Sequence, residues 1–145
     1  MSPPRAKRRL GQHFLFDPSI LRRIAAATLA GPGDTVLEIG PGPGGLTAEL
    51  LKLGCRVIAI ERDRDMLEQL HDRAPGAKII EGDALEFDWH AVSGHPRVAR
   101  WVVSGNIPYN ITTPLIDQAL TPPMPARVVF LVQEEVAGRI PRDNL

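Results

Sequence analysis

The sequence predicts an α/β fold in which a mostly parallel sheet has helices on both of its faces. Three observations favour this fold: short runs rich in Val and Ile alternate with segments of helical period, a glycine-rich loop follows the first run, and helix-start signals lie between runs. Apolar runs of this kind are typical of parallel strands that helices cover on both sides. The predicted strands lie at 35–40, 56–61, 77–83, 100–105 and 127–133.

Helical segments fill the intervals between the predicted strands. Asp17 precedes Pro18 and Thr113 precedes Pro114. Each pair offers a capping side chain before a proline, whose missing N–H costs nothing at the start of a helix. The first pair therefore predicts a helix ahead of the first strand. Apolar stripes at helical spacing predict three more helices, on Leu46, Leu50 and Leu53, on Met66, Leu67, Leu70 and Ala74, and on Leu115, Ile116, Ala119 and Leu120.

Length and charge limit the domain organisation. A chain of 145 residues is long enough for one domain. Its 17 basic and 17 acidic residues give zero formal charge, which neither favours nor excludes a nucleic-acid partner. Basic residues crowd the segment 1–16, which we separate from a domain at 17–145. This segment could bind phosphates, or it could be a solvated tail.

The C-terminal segment predicts a domain that is cut short. Residues 133–140 have the pattern of another helix, and the chain stops soon after it. A sheet that ended at the fifth strand would have an open edge, which favours pairing with another strand. We therefore expect truncation after the fifth strand, with an edge-strand or swapped dimer as one way to cover the edge.

Other composition features indicate the cellular setting. Cys55 is the single cysteine, so an intrachain disulfide is excluded and a reducing compartment fits. No apolar stretch is long enough to cross a bilayer, and the basic N-terminus lacks a signal-peptide core. We expect a soluble, cytoplasmic protein. No metal site is expected, because the histidines have no second cluster of ligands beside them.

A glycine-rich loop, EIGPGPGGLT at 38–47, connects the first strand to the next helix. Glycines let the chain turn sharply and let a ligand approach the main chain. The loop contains the dinucleotide pattern G-x-G-x-x-G, so a nicotinamide-dependent oxidoreductase is one interpretation. Its two prolines, however, remove donors that a pyrophosphate would use, and Glu38 places an acid beside the loop. These features favour S-adenosylmethionine, which carries no phosphate.

Two carboxylates end the next two strands. Glu61 lies 21 residues after Gly40, where it could accept hydrogen bonds from both hydroxyls of a ribose. Asp83 ends the third strand, where it could accept from the exocyclic amine of the cofactor's adenine. Either carboxylate could instead cap the helix that follows it, and for Asp83 alone this alternative has equal weight.

The tetrapeptide Asn106, Ile107, Pro108 and Tyr109 follows the fourth predicted strand and reaches the same sheet edge. The Asn106 side-chain oxygen and the Ile107 carbonyl can accept the two hydrogens of an adenine amine. They would compensate the charge that develops as this amine attacks an electrophilic methyl group. Pro108 stiffens the turn, and Tyr109 offers a face on which a flipped-out base can stack. The alternative is a plain strand-end turn with Tyr109 in the core, but four strand ends that converge on one crevice favour catalysis.

These motifs resemble those of the ribosomal RNA adenine dimethyltransferase family, over Arg8 to Arg139. The resemblance rests on LGQHFL at 10–15, the glycine loop, Glu61, GDA at 82–84, NIPYNIT at 106–112 and QEEVA at 133–137. It implies a Rossmann-like, S-adenosylmethionine-dependent methyltransferase. Its substrate would be the N6 amine of adenines in small-subunit (16S) ribosomal RNA or the pre-ribosomal subunit.

The resemblance also implies the site residues. The cofactor would contact His13, Leu15, Gly40, Glu61, Asp83 and Asn106, and the target adenine would lie against Asn106, Ile107, Pro108 and Tyr109. Two positions depart from the family pattern: His13 replaces a common Asn but keeps a hydrogen-bonding side chain, and Glu134 replaces a common Lys. The family continues with two more strands and a helical RNA-binding domain. Large-subunit rRNA adenine methyltransferases and a module that binds without catalysis are therefore the alternatives.

Overall fold

The computed structural model describes residues 17–93 and 100–132, which form a five-stranded sheet flanked by helices. The strands are β1 (Asp34–Ile39), β2 (Arg56–Glu61), β3 (Lys78–Glu81), β4 (Arg100–Ile107) and β5 (Arg127–Val132). Their order across the sheet is β3-β2-β1-β4-β5, and every neighbouring pair is parallel. The predicted α/β fold is confirmed.

Helices join successive strands, with one further helix ahead of β1. They are α1 (Pro18–Ala27), α2 (Gly45–Lys52), α3 (Leu67–Arg73), α4 (His90–Ser93) and α5 (Thr112–Ala119), and 3-10 turns lie at Arg64–Met66 and Tyr109–Ile111. The sequence does not predict α4, because its four residues are too few to show a helical period. Within the described ranges, no helix is long and apolar enough to cross a membrane.

Two apolar clusters lie on opposite faces of the sheet. On one face, Leu21 of α1 and Leu50 of α2 pack with Val36 of β1. On the other face, Leu115 of α5 packs with Val103 of β4. Each such buried side chain contributes about 1.5–3 kcal/mol relative to exposure. Helices therefore cover both faces, as the apolar strands predict.

Two strand boundaries differ from the predicted ones. β3 is shorter than 77–83, because only four of its residues pair with β2. β4 is longer than 100–105, because Asn106 and Ile107 pair with Leu131 and Val132 of β5. Asn106 is therefore a strand residue, and the interpretation that makes it a turn residue is wrong.

One of the two predicted helix caps is confirmed. Asp17 accepts a hydrogen bond from the Ser19 amide at 2.9 Å at the start of α1. The prediction that Thr113 caps α5 is wrong, because the helix already begins at Thr112 and its N-cap position makes no side-chain hydrogen bond. The turn Tyr109–Ile111 leads the chain directly into the helix. Pro114 still lies in the first helical turn, where its missing N–H costs nothing.

Candidate active site

The switch point of the sheet lies between β1 and β4, because the chain runs outward from β1 to β3 and then returns to the other side of β1. Open α/β sheets bind ligands at the carboxyl ends of their strands at such a point. Gly40 follows β1 there, and Asn106 lies near the end of β4. A pocket at this place is lined by Leu21, Ile24, Glu38, Gly40, Pro41, Pro43, Gly45, Leu46, Asn106 and Leu131.

Two glycines let the main chains of β1 and β4 approach each other at the pocket. A Cβ atom at Gly105 would overlap the Ile39 carbonyl oxygen and lie 3.1 Å from the carbonyl carbon. A Cβ atom at Gly40, whose φ is +65°, would lie 3.1 Å from the Asn106 main-chain oxygen. The glycine loop and the tetrapeptide are therefore in main-chain contact, which a side chain at either position would disturb.

The glycine loop is also packed from the side of α3. Gly44 adopts a φ of +97°, and its amide donates to the Pro41 carbonyl at 3.0 Å. A Cβ atom at Gly44 would lie 3.0 Å from the Leu70 side chain, which is fully buried. The loop is thus fixed in shape before a ligand binds.

Glu61 lies at the end of β2, where the sequence predicts it, and is 6% exposed. One carboxylate oxygen accepts from the Gly42 amide at 2.7 Å, and the other accepts from the Asp63 amide at 2.8 Å. Each oxygen has a further lone pair, so ribose hydroxyls could still donate to it. Glu61 therefore ties the glycine loop to β2, a role that sequence analysis does not reveal.

Asp83 lies just beyond β3 at the same edge of the sheet. Its Oδ1 accepts from the Leu85 amide at 2.9 Å, so the carboxylate caps the turn that follows. The buried Trp89 indole donates to the Ala84 carbonyl at 2.9 Å, and Gln118 of α5 donates to the Phe87 carbonyl at 3.1 Å. The capping alternative is thus present, and it leaves the second carboxylate oxygen of Asp83 available for a ligand.

The tetrapeptide has two buried members, the Asn106 side-chain oxygen and Ile107, and an exposed aromatic ring at Tyr109. The Asn106 side-chain oxygen is buried and has no hydrogen-bond partner among the described residues. Ile107 is fully buried, and Pro108 has an extended ψ of 139°. Tyr109 is 40% exposed, so the interpretation that places it in the core is wrong. An unpaired buried acceptor costs about 1–3 kcal/mol, and a donor from a ligand would remove that cost.

Glu38 and Ser104 join the site as residues that sequence analysis does not nominate as ligand contacts. Glu38 is 1% exposed, and Thr47 donates to its carboxylate at 2.5 Å. Burial raises the pKa of Glu38 to about 8, although the Thr47 hydrogen bond lowers it and the charge of Glu61 raises it further. Ser104 is fully buried, and its hydroxyl has no partner among the described residues. The sequence signal for Glu38 is its position as an acid directly before the glycine loop.

Some predicted site residues cannot be placed. His13, Leu15 and Glu134 lie outside the described residues. Gly40, Glu61, Asp83 and Asn106 do come to one edge of the sheet, as the parallel topology requires. Residues 17–93 and 100–132 contain no group of three or more His, Cys, Asp or Glu that could hold a metal ion.

A sequence profile of the family described as ribosomal RNA adenine dimethylase matches residues 4–143. The chain is 48% identical over 139 residues to ribosomal RNA small subunit methyltransferase A of Phenylobacterium zucineum. This match covers 93% of the chain and 48% of that relative. The chain is 46% identical over 140 residues to the protein of the same name from Caulobacter vibrioides, with 93% and 53% coverage. The chain thus spans about half the length of the curated relatives it matches.

Solved structures show the same fold. The 23S rRNA methyltransferase ErmE superposes with a TM-score of 0.68 at 28% identity, covering 88% of this chain and 50% of that one. A dimethyladenosine transferase from Plasmodium falciparum gives a TM-score of 0.67 at 34% identity, with 85% and 44% coverage.

Proposed function

This chain belongs to the ribosomal RNA adenine dimethylase family, and we propose that it carries the cofactor-binding and catalytic part of an enzyme that methylates adenines in small-subunit ribosomal RNA. The product would be N6,N6-dimethyladenine, with a role in ribosome biogenesis. The observation that carries this proposal is the Asn106 side-chain oxygen, which has no hydrogen-bond partner within 17–93 and 100–132 and lies beside the glycine loop at the switch point. Because ribosomes are the substrate, the enzyme would work in the cytoplasm.

S-adenosylmethionine is the cofactor that fits the residues present. The pocket beside Gly40 has two prolines in its wall, Pro41 and Pro43, and neither has an N–H that could bind a phosphate. Gly40, Glu61, Asp83 and Asn106 would hold the cofactor, and His13 and Leu15 would also contact it. When bound, the cofactor supplies an electrophilic methyl group.

The chain's own residues would orient and activate the target amine. The Asn106 Oδ1 atom and the Ile107 carbonyl oxygen would accept its two hydrogens, which makes the nitrogen lone pair available and stabilises the developing charge. Pro108 fixes the direction of the chain after β4, and the exposed ring of Tyr109 would stack on the extruded base. No protein base is needed, because the proton can leave to water after transfer.

The domain organisation follows from this assignment. Segment 1–16 would contact phosphates of the RNA through its basic residues, and 17–145 would be the cofactor-binding domain. The described part of β5 pairs with β4 on one side only, so two copies of this chain could pair there. Light scattering over a range of protein concentrations tests this dimer.

Methyl transfer to defined RNAs tests the function. The chain is incubated with S-adenosylmethionine labelled in the methyl group and with immature small subunits or large subunits in parallel, and the digested RNA is analysed. Label in dimethyladenine from small subunits supports the proposal. Label from large subunits alone would assign the chain to the large-subunit rRNA adenine methyltransferases instead.

Calorimetry separates the remaining candidates. The half-length match to relatives favours, as second candidate, a module that binds the cofactor or pre-ribosomes without catalysis. Binding of S-adenosylmethionine with no label in RNA would leave that module. Binding of NAD in place of S-adenosylmethionine would exclude both and restore the oxidoreductase reading.

A further inference from the structure

Gln118 of α5 is a polar side chain that reaches the loop after β3. Its Nε2 atom donates to the Phe87 carbonyl oxygen at 3.1 Å, across 31 residues of sequence. Leu115 and Ala119 of the same helix are buried in an apolar cluster, and Phe87 packs against that cluster. Gln118 is half-buried beside them. A polar group in such a place is costly unless it is paired, so the Phe87 carbonyl group is a specific partner.

The bond to Phe87 holds one end of a single turn whose other end is Asp83. The Asp83 carbonyl oxygen accepts from the Glu86 amide at 2.9 Å and from the Phe87 amide at 3.0 Å. The Asp83 Oδ1 atom accepts from the Leu85 amide at 2.9 Å. These three bonds preserve the shape of the turn, but they do not tie it to another helix or strand. A bond from α5 does.

Asp83 therefore lies between two anchors. On the strand side, the Gly82 amide donates to the Glu61 carbonyl oxygen at 2.9 Å. A Cβ atom at Gly82 would meet nothing within 4 Å, so close packing does not restrain the chain at that point. On the far side, Gln118 holds Phe87. The bond from α5 thus restricts the direction in which the Asp83 carboxylate points.

The helix that carries Gln118 begins just after the tetrapeptide. The Thr112 hydroxyl at its first residue donates to the Pro108 carbonyl oxygen at 3.1 Å. The helix has eight residues, so it is about 12 Å long, and the fully buried Leu115 fixes it to the sheet. Gln118 therefore ties the Asp83 turn to the same rigid element that continues the tetrapeptide.

We propose that Gln118 is a positioning residue, which aims the second carboxylate oxygen of Asp83 at the exocyclic amine of the cofactor's adenine. This inference rests on the proposed function, which brings that adenine to Asp83. The amine donates to a carboxylate, whereas the carbonyl oxygen of hypoxanthine would meet it with a second acceptor. Gln118 would therefore determine how strongly the site prefers adenine to hypoxanthine, although it contacts neither base.

Calorimetry of the whole chain tests the base preference. S-adenosylmethionine is compared with its hypoxanthine analogue, in which a carbonyl oxygen replaces the amine. The wild type should bind the adenine form about 10–100-fold more tightly, as expected for one hydrogen bond to a charged group. Gln118→Met keeps the side-chain length but removes the donor, and it should reduce this preference by about 3–10-fold. Gln69→Met, at an exposed position of α3, is the matched control and should keep the preference.

Two further measurements separate positioning from a structural role. Gln118→Lys restores a donor and should recover most of the preference. In methyl transfer, Gln118→Met should raise KM for S-adenosylmethionine and leave kcat unchanged, because the bond from Asp83 to the amine is the same in the ground and transition states. If Gln118→Met weakens both forms of the cofactor equally, its role is structural and the proposal is overturned.

The wild type alone distinguishes the two levels of the argument. If it binds both forms equally well, Asp83 does not recognise the amine and the proposal fails. If it binds no S-adenosylmethionine, the proposed function fails instead, and the link is tested in the free protein by amide hydrogen exchange. Exchange at Leu85 and Phe87 should then be several-fold faster in Gln118→Met than in Gln69→Met, and equal rates would refute the link.

Discussion

The junction of β1 with β4 and the end of β3 lie on the same edge of one sheet, yet they are built in opposite ways. At the junction, Gly40 and Gly105 bring two main chains together with no room for a side chain. At the end of β3, a Cβ atom at Gly82 would meet nothing within 4 Å, and the chain beyond it is held by side-chain hydrogen bonds. The comparison separates a rigid centre, where chemistry would occur, from a more adaptable margin.

The largest effect is expected from the centre. Asn106→Ala should lower the rate of methyl transfer by about 10²–10³-fold, because the target amine loses an acceptor that matters most in the transition state. Single-turnover transfer to immature small subunits measures it. Asn110→Ala, in the exposed turn that follows, is the matched control and should retain most activity. Substantial turnover by Asn106→Ala would contradict the role assigned to its side chain.

Gly105→Ala should have the second-largest effect on turnover, because it places a side chain in the close main-chain contact between β1 and β4. Its Cβ atom needs about 1 Å more space against the Ile39 carbonyl oxygen, and a displacement of that size can reduce turnover by about 10²-fold. Amide hydrogen exchange should show opening at 105–107, with 100–103 still protected. Gly82→Ala, where space is free, should behave like the wild type in both measurements. Equal behaviour of the two variants would remove the distinction between the regions.

Glu38→Gln should change stability in a pH-dependent way. Because the folded-state pKa of Glu38 is about 8, above its ordinary value of 4.5, the folded state holds the proton and wild-type stability falls as pH rises from 4.5 through 8. Denaturant unfolding should thus show the variant gaining on the wild type by about 1–3 kcal/mol between mildly acidic and mildly alkaline pH. A difference that stays constant with pH would mean that Glu38 is ionised in the folded protein.

The smallest effect belongs to the margin. Trp89→Phe removes the indole donor to the Ala84 carbonyl but keeps an aromatic ring in the core, so it should cost about 1 kcal/mol of unfolding free energy. Cofactor affinity should fall only a few-fold, through looser positioning of Asp83. Thermal unfolding and calorimetry measure the two effects. A loss as large as that of Gly105→Ala would show that the margin is as rigid as the centre.

The sequence predicts the fold well, because parallel strands that are buried on both faces are continuous apolar runs rich in Val and Ile. β2 begins and ends at the predicted residues 56 and 61, since charged residues bound its apolar run. The end of β4 is not predicted, because Asn106 is a poor strand former and lies in the strand through its pairing with Leu131 of β5. In such a central strand, pairing with the neighbouring strands outweighs the low intrinsic strand propensity of a residue.

The candidate site is predicted only where a residue acts through its own position in a motif. Glu61 and Asn106 are found in this way, whereas the link from Glu61 to the Gly42 amide spans 19 residues and has no sequence signal. Ser104 looks like an ordinary strand residue until its hydroxyl proves to be unpaired. The need for Gly105 depends on a carbonyl group of β1, far away in the chain. These are tertiary facts, and no local pattern encodes them.

The pairing of Asn106 and Ile107 with β5 has a consequence for anyone who wishes to redesign the substrate. Residues in a paired strand cannot easily change position, so Asn106 and Ile107 hold the proposed acceptors for the amine in fixed places. The turn Tyr109–Ile111 lies outside the ladder and is partly exposed, and it tolerates new side chains far more readily. Libraries that seek activity on other bases should therefore vary this turn and leave the strand unchanged.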